Sequence, residues 1–156
     1  QAGLSWITIL RKRENFRKAF HGFDAARIAR FGERDIARLM NDEGIIRNRA
    51  KIEATISNAK AYLALSEKVS FSHFLWGLID GRPVINKLQS FKDAPTETDT
   101  SKRMSKALKN AGFRFVGSTT LYAFMQSTGM VNDHIVTCFR HAPCAKLQKS
   151  LKIEGL

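Results

Sequence analysis

Apolar residues recur at helical spacing along most of the chain, whereas the strict alternation of a half-buried strand is nearly absent. The clearest case is "NRAKIEATISNAKAYLAL", in which Ile52, Ile56, Ala59 and Leu63 follow one another at steps of four, three and four residues. Such steps place side chains on one face of a helix. The segment is therefore predicted to be a helix with one face in the core.

Other segments share this periodicity and carry helix-start signals. Ser5 and Asp24 each stand directly before an apolar-periodic run, and both residue types are favourable N-caps. The further predicted helices are "WITILRKRENFRKAF", "AARIARF", "ERDIARLM", "SFSHFLWGLID", "SKRMSKALKNAG" and the segment that opens at Ser118. This pattern predicts an all-α fold.

The chain length and its one long polar connection indicate a single domain. The stretch "GRPVINKLQSFKDAPTETDT" contains Pro83 and Pro95 within a polar run, which favours a surface connection over a domain boundary. We therefore expect one domain over residues 1–156 of this 156-residue chain. Within it, residues 140–156 are expected to form a mobile basic C-terminal tail.

The charge balance points to an acidic partner. The chain has 26 basic and 14 acidic side chains, a formal charge of +12, and the basic residues are spread along its length. Nucleic acid is the first partner class that such a surface suggests. Charge alone leaves open DNA, RNA, a ribosome-associated protein and a solvated basic surface.

Cysteine usage and hydropathy bear on location. Cys138 and Cys144 are too few for a disulfide framework, which favours a reducing compartment. No apolar run reaches the roughly 18 residues of a membrane span, and no signal segment is visible. We expect a soluble, cytoplasmic protein without a membrane partner.

The stretch "NAGFRFVGSTT" has the features of a tight turn between two helices. Gly112 follows a lysine-rich helix where a left-handed residue commonly ends helices, and Gly117 and Ser118 open the next one. This arrangement exposes the backbone N–H groups of Val116 to Thr119 at a helix N-terminus, which suits a phosphate. Helical hairpins of this kind also occur in bundles that bind no DNA.

Four separated stretches resemble one family. "QAGLSWITIL", "GIIRNRAKIEATISNA", "SKALKNAGFRFVG" and "VNDHIVTC" are similar to the DNA-3-methyladenine glycosylase I family, in order from Gln1 to about Cys138. The resemblance implies the helix-hairpin-helix DNA glycosylase fold. It also implies a hydrolase of base excision repair that flips 3-methyladenine out of alkylated double-stranded DNA and cleaves its N-glycosidic bond. A monomer suits an enzyme that must scan DNA, and no protein partner is implied.

The resemblance also assigns roles to residues. It implies that Trp6 stacks on the flipped base, whose positive charge a π-face favours. Gly3 and Leu4 resemble the loop that wedges into the duplex. The residues alone favour Trp6 as a core aromatic of the first helix and Leu4 as a helix-start hydrophobe. The DNA-phosphate contacts are expected from Arg114, Val116, Gly117, Ser118 and Thr119, with the lysines of the 102–109 helix near the backbone.

The chain departs from the wider superfamily at two positions. Superfamily enzymes that also cut the DNA backbone resemble this chain but carry a Schiff-base lysine at the position of Thr119. A lyase step is therefore not expected. Asn132 occupies the place of the superfamily's catalytic aspartate, with Asp133 one step on. Asn132 could also be a capping or turn residue. The family's acidic base-recognition residue belongs upstream of Gln1, so the catalytic residue is unknown and we expect an N-terminally incomplete chain.

His134 and Cys138 are four residues apart, which would place both on one face if the segment is helical. The family resemblance makes them half of a structural Cys2His2 zinc site whose other Cys and His lie upstream of this chain. A local alternative uses His134, Cys138, His141 and Cys144.

Two further hypotheses remain from other functional classes. The chain could be a noncatalytic helix-hairpin-helix DNA-binding module. An RNA-associated protein is disfavoured, because neither aromatic residues on strands nor an RNA-module signature is visible.

Overall fold

The computed structural model describes residues 5–153, so Gly3 and Leu4 lie outside the described residues. The described part is mostly helical, as predicted. The α-helices are α1 Trp6–Arg11, α2 Arg13–Ala19, α3 Ala25–Ile28, α4 Glu33–Asn41, α5 Arg49–Ser66, α6 Phe71–Gly77, α7 Asp99–Asn110, α8 Ser118–Ser127 and α9 His141–Ser150. The strands are β1 Val84–Ile85 and β2 Val131–Asn132, and His21–Phe23 and Phe91–Asp93 are 3₁₀ helices.

The chain divides into two compact units. The first unit contains the chain up to Lys68 together with Lys109–Phe115. The second unit contains Val69–Leu108 and the chain from Val116 onward.

The core of the first unit is formed by the apolar stripes that the periodicity identified. Helices α3 and α4 pack against α5. Leu39 of α4 is fully buried, and Ile52 of α5 is 3% exposed. The core cluster also contains Ala19, Phe20, Ile28, Ile36, Ile45, Ile56 and Ala59. Burial of these side chains stabilises the unit by about 25 cal/mol for each Å² of apolar surface removed from water.

Both predicted N-caps are confirmed. The Ser5 hydroxyl accepts from the Thr8 amide at 3.3 Å, and the Asp24 carboxylate accepts from the Arg27 amide at 3.0 Å. The first predicted helix is not continuous, however, since it breaks at Lys12, whose ψ is 0°. The Lys12 ammonium donates to the Glu43 carbonyl at 2.7 Å, a tertiary contact that local periodicity does not report.

Carboxylates of the first unit make structural contacts. Asp35 accepts from the Gly32 amide at 3.1 Å, at the start of α4. Glu33 pairs with Arg49 at 3.0 Å, and Glu53 pairs with the same guanidinium at 2.7 Å. These side chains cap a helix or form surface ion pairs.

The second unit packs its helices beside a short parallel strand pair. Val84 pairs with Val131 and Ile85 with Asn132. Two-residue strands are too short to produce a visible alternation, so the sequence analysis missed them. The buried apolar residues of this unit are Leu75, Ile79, Met104, Leu108, Leu121, Tyr122, Met125, Met130 and Val131.

The segment assigned to a basic tail contains a helix. Residues 141–150 form α9, and Gln148 on it is only 8% exposed. The Gln148 amide donates to the Gly129 carbonyl at 2.7 Å. A mobile tail is therefore the wrong description of residues 141–150, because a buried polar contact that charge composition does not reveal holds this helix.

The connection from α7 to α8 begins with a left-handed residue, as predicted. Helix α7 ends at Asn110, and Gly112 follows with φ of 89°. A Cβ atom at Gly112 would lie 3.6 Å from the Ala61 Cβ, an ordinary van der Waals distance. The backbone conformation, and not a lack of space, therefore makes glycine the favourable residue here.

Substituting Gly112 tests this conformational constraint. Gly112→Ala should lower the free energy of unfolding by about 1–2 kcal/mol, because an L-residue pays that cost in the left-handed region. Gly112→Asn should cost less, since asparagine tolerates this region better. Urea titration followed by circular dichroism measures both. Equal costs for the two variants, or none for alanine, would contradict the explanation.

Candidate nucleic-acid interface

The loop between α7 and α8 is held in the first unit by the side chain of Asn58 on α5. Its amide nitrogen donates to the Arg114 carbonyl at 3.0 Å, and its amide oxygen accepts from the Arg114 N–H at 2.8 Å. One side chain thus satisfies both backbone polar groups of a residue 56 positions away. The Arg114 side chain is exposed. The sequence analysis missed Asn58, although it lies in one of the four family-like stretches.

The next residues of the loop are held in the second unit by Ser105 on α7. The Ser105 hydroxyl, 4% exposed, donates to the Val116 carbonyl at 2.7 Å. Ser101 and Ser105 lie on the same stripe as Met104 and Leu108. A polar residue on a buried apolar stripe was the signal that could have revealed this contact.

Phe115, between these two positions, has φ of 58° and is 55% exposed. A positive φ is uncommon for an aromatic residue and is tolerated only where neighbouring contacts impose it. The contacts at Arg114 and Val116 flank it directly.

The predicted phosphate donors stand at the N-terminus of α8. Gly117 is the N-cap and Ser118 is the first helical residue. Gly117 has no side chain to accept from the first amides, so the amide end of α8 lacks an N-cap side-chain hydrogen bond. The positive end of the helix dipole adds to these donors. Gly117 and Thr119 are exposed, and Val116 and Ser118 are half-buried.

One of the predicted donors is already engaged. The Ser118 hydroxyl donates a short hydrogen bond to the carboxylate of Glu97. This bond, with a smaller contribution from the charge of Lys102, keeps the pKa of Glu97 below its ordinary value. The Lys102 ammonium lies 3.4 Å from the other carboxylate oxygen. The sequence analysis did not single out Glu97.

Trp6 is an exposed residue of the first unit. It is the first residue of α1, and 71% of it is accessible to solvent. The reading of Trp6 as a core aromatic is therefore wrong. An exposed indole offers a ring face on which a base can stack.

A cavity of about 250 Å³ also lies in the first unit. Three phenylalanines, Phe16, Phe20 and Phe23, form much of its wall. The Phe20 and Phe23 rings stack with their centroids 5.8 Å apart. Ile9, one helical turn after Trp6, also lines the cavity.

Asn132 is the last residue of β2 and is buried. It is 3% exposed, its amide oxygen accepts from the His134 N–H at 3.2 Å, and its amide nitrogen donates to the His141 carbonyl at 3.1 Å. These bonds support the turn-residue interpretation of Asn132. They use one donor and one acceptor of the amide, which hold the side chain in place within the second unit.

Asp133, the neighbouring carboxylate, joins three parts of the second unit. It accepts from the Asn86 amide at 2.6 Å, the Tyr122 hydroxyl at 2.6 Å and the Gln126 amide at 2.7 Å. Burial and the bond to Asp133 raise the pKa of the Tyr122 hydroxyl well above its ordinary value. The phenol therefore stays a donor, and Asp133 has the contacts of a structural carboxylate rather than of a free base.

His134 and Cys138 lie close together but not on a helix. The segment between β2 and α9 is irregular, so the helical premise for this pair is wrong. The Cys138 Sγ nevertheless lies 3.7 Å from the His134 Nδ1. Two ligands of one tetrahedral zinc ion, at about 2.3 Å for sulfur and 2.0–2.1 Å for nitrogen, lie about 3.6 Å apart. The pair therefore fits two ligand positions of a zinc site.

The local four-ligand alternative is not formed. The His141 Nε2 lies 2.9 Å from the Asn86 carbonyl, which occupies that ring nitrogen. Cys144 lines a cavity of about 420 Å³ together with Asp133 and Gln148. Within residues 5–153, no three His, Cys, Asp or Glu side chains are close enough to share a metal ion.

Among the helices in the described part of the chain, none combines the length and the apolar character that crossing a bilayer requires.

Comparison with known proteins identifies the family. The family model described as methyladenine glycosylase matches residues 1–141. The DNA-3-methyladenine glycosylase of Haemophilus influenzae is 50% identical over 145 residues, which are 92% of this chain and 76% of the relative. DNA-3-methyladenine glycosylase 1 of Escherichia coli is 49% identical over 139 residues, covering 88% of this chain and 74% of the relative.

Solved structures agree with these sequence matches. A crystal structure of 3-methyladenine DNA glycosylase I is 53% identical, with a TM-score of 0.87 over 90% of this chain and 78% of that one. A variant of 3-methyladenine DNA glycosylase I in complex with 3-methyladenine is 37% identical, with a TM-score of 0.86 over 90% of this chain and 76% of that one.

These matches show that the chain has the fold of the helix-hairpin-helix DNA glycosylases. Within that class, the chain belongs to the methyladenine glycosylase family.

Removing the Asn58 side chain tests whether it holds the loop. Asn58→Ala should cost about 1–3 kcal/mol of stability, because the Arg114 backbone groups lose both partners. The Arg114 amide should also exchange faster with solvent, as measured by NMR hydrogen exchange.

Ser57→Ala is a matched control on the same helix, because the Ser57 hydroxyl donates to the Ala54 carbonyl within α5 and not to the loop. Unchanged exchange at Arg114 in Asn58→Ala, or equal acceleration in Ser57→Ala, would contradict this role.

Proposed function

We propose that the protein is a monofunctional DNA glycosylase that removes 3-methyladenine from alkylated double-stranded DNA in base excision repair. The observation that carries the proposal is the 50% identity, over 92% of the chain, to a DNA-3-methyladenine glycosylase. The exposed Trp6 and the α7–α8 hairpin supply groups that such chemistry needs. The proposal includes a monomer that acts in the cytoplasm.

The hairpin is proposed to bind the DNA backbone. The amide end of α8, with Val116, Gly117, Ser118 and Thr119, suits one phosphate, and the exposed Arg114 adds a charged donor beside it in sequence. Most of the affinity should then be electrostatic, and it should fall as salt rises. Gly3 and Leu4 are proposed as the wedge that fills the gap left by the flipped base.

Trp6 is proposed to bind the flipped base. In DNA, 3-methyladenine carries a positive charge, so an aromatic face attracts it more strongly than neutral adenine. The glycosidic C1′–N bond breaks through an oxocarbenium-like state, and its electron pair neutralises the leaving base. Water adds to C1′ and releases one proton to solvent. Because that base leaves without needing prior protonation, binding and modest electrostatic help can replace a strong general base. Thr119 in place of a lysine fits a reaction that stops at base removal.

Trp6 variants separate base binding from duplex binding. Trp6→Ala should leave the affinity for unmodified duplex within about twofold but slow base release by roughly 5- to 150-fold, because stacking is worth about 1–3 kcal/mol per base. Trp6→Phe should retain part of the rate. Fluorescence anisotropy measures binding, and chromatography of dimethyl sulfate-treated duplex measures release. Equal losses of binding and release in Trp6→Ala would indicate a structural residue instead.

His134 and Cys138 are proposed as two ligands of a structural zinc ion, with the remaining ligands supplied from outside residues 5–153. The 3.7 Å separation of their donor atoms supports this proposal. A structural zinc ion contributes folding free energy and takes no part in the reaction.

Cobalt(II) titration tests the metal site, because a bound thiolate gives an absorption band that a protein without metal lacks. In a form extended at its N-terminus with the corresponding segment of a relative, the band should appear in the unsubstituted protein and in Cys144→Ala, and it should be weakened or lost in Cys138→Ala. A band that is lost in Cys144→Ala but unchanged in Cys138→Ala would assign the metal-bound thiolate to Cys144 and contradict the proposal.

A further inference from the structure

A carboxylate of the protein itself lies at the N-terminus of α8. Glu97 precedes α7 in sequence, and one of its oxygens accepts the proton of the Ser118 hydroxyl. Its other oxygen lies 3.4 Å from the Lys102 ammonium. The Glu97 side chain is 37% exposed, so solvent and solutes can reach it. An oxyanion thus already lies where the proposed function requires a phosphate.

Ser118 can serve only one acceptor at a time. A serine hydroxyl has a single proton to donate, so it cannot donate to a phosphate while Glu97 accepts it. A phosphate oxygen that took this proton would also approach a charged carboxylate. Two like charges a few Å apart repel each other, and the repulsion is only partly screened at moderate salt.

The surroundings allow Glu97 to move away from Ser118. Lys102 is 55% exposed and already contacts both Glu97 and Asp99, the latter at 3.7 Å. An ion pair with Lys102 can therefore retain Glu97 after its bond to Ser118 is broken. Exchange of one acceptor for another costs the hydroxyl little, because its hydrogen bond is replaced rather than lost.

We propose that Glu97 is an internal competitor for the DNA phosphate at Ser118, and that DNA binding displaces its carboxylate from the hydroxyl. The inference rests on the proposed function, since it assumes that the amide end of α8 receives the DNA backbone. As a consequence, the affinity of the hairpin for DNA is lower than it would be without Glu97. Such a residue limits the residence time of the enzyme on undamaged DNA.

Charge-neutral variants of Glu97 and its neighbour test the inference. Glu97→Gln should tighten binding to a short labelled duplex by roughly three- to tenfold at low salt, because the competing anion is gone. Asp99→Asn is the matched control. It removes the same charge near the same Lys102, but Asp99 is 93% exposed and lies two residues from Glu97 without a hydrogen bond to Ser118.

A double-mutant cycle with Ser118→Ala makes the test specific to the hydroxyl. In the Ser118→Ala background, Glu97→Gln should tighten binding clearly less than it does when the Ser118 hydroxyl is present. Circular dichroism and thermal unfolding show whether each variant retains the fold, and anisotropy at several salt concentrations gives the affinities.

The outcomes separate this inference from the proposed function. Equal tightening by Glu97→Gln and Asp99→Asn would reduce the effect to net charge and overturn the inference alone. Weaker or unchanged duplex binding by a folded Glu97→Gln variant would also overturn the inference alone. Glu97 would then be a residue that stabilises the start of α8 through Ser118. Absence of salt-dependent duplex binding in the wild type would overturn the proposed function together with the inference.

Discussion

The α7–α8 connection depends on side chains that satisfy its backbone polar groups, because an irregular loop has no hydrogen-bond ladder of its own. Asn58 pairs with both backbone groups of Arg114, and Ser105 binds the Val116 carbonyl. These contacts flank Phe115, which has a positive φ. A loop held in this way can present a helix N-terminus to a ligand without ordering itself at the moment of binding, and this lowers the entropic cost of the complex.

Local patterns predicted the longer helices α5 and α7 well because these helices bury a stripe of apolar residues. Ile52 and Ile56 on α5, and Met104 and Leu108 on α7, lie in the core as their spacing indicates. The N-caps and the left-handed Gly112 also follow from local chemistry. The break at Lys12 does not, because the contact to Glu43 that accompanies it joins residues 31 positions apart.

The candidate site was also predictable only where it depends on local sequence. The turn, Ser118 and the His134–Cys138 pair were visible as local motifs, but their partners were not. Asn58 contacts Arg114 across 56 residues, and Glu97 contacts Ser118 across 21. Such pairs depend on how the helices pack, which one sequence does not report. The same limitation explains why residues 141–150 were taken for a tail, since the bond from Gln148 to Gly129 spans 19 residues.

The most direct test of the central claim is the identity of the bases released from dimethyl sulfate-treated duplex DNA, resolved by chromatography. It uses this chain and a form extended at its N-terminus with the corresponding segment of a relative. The account predicts that free 3-methyladenine accumulates with time and with protein concentration in at least one form. Retention of every methylated base by both forms, with duplex binding intact, would contradict the account and leave a helix-hairpin-helix module that binds DNA without chemistry.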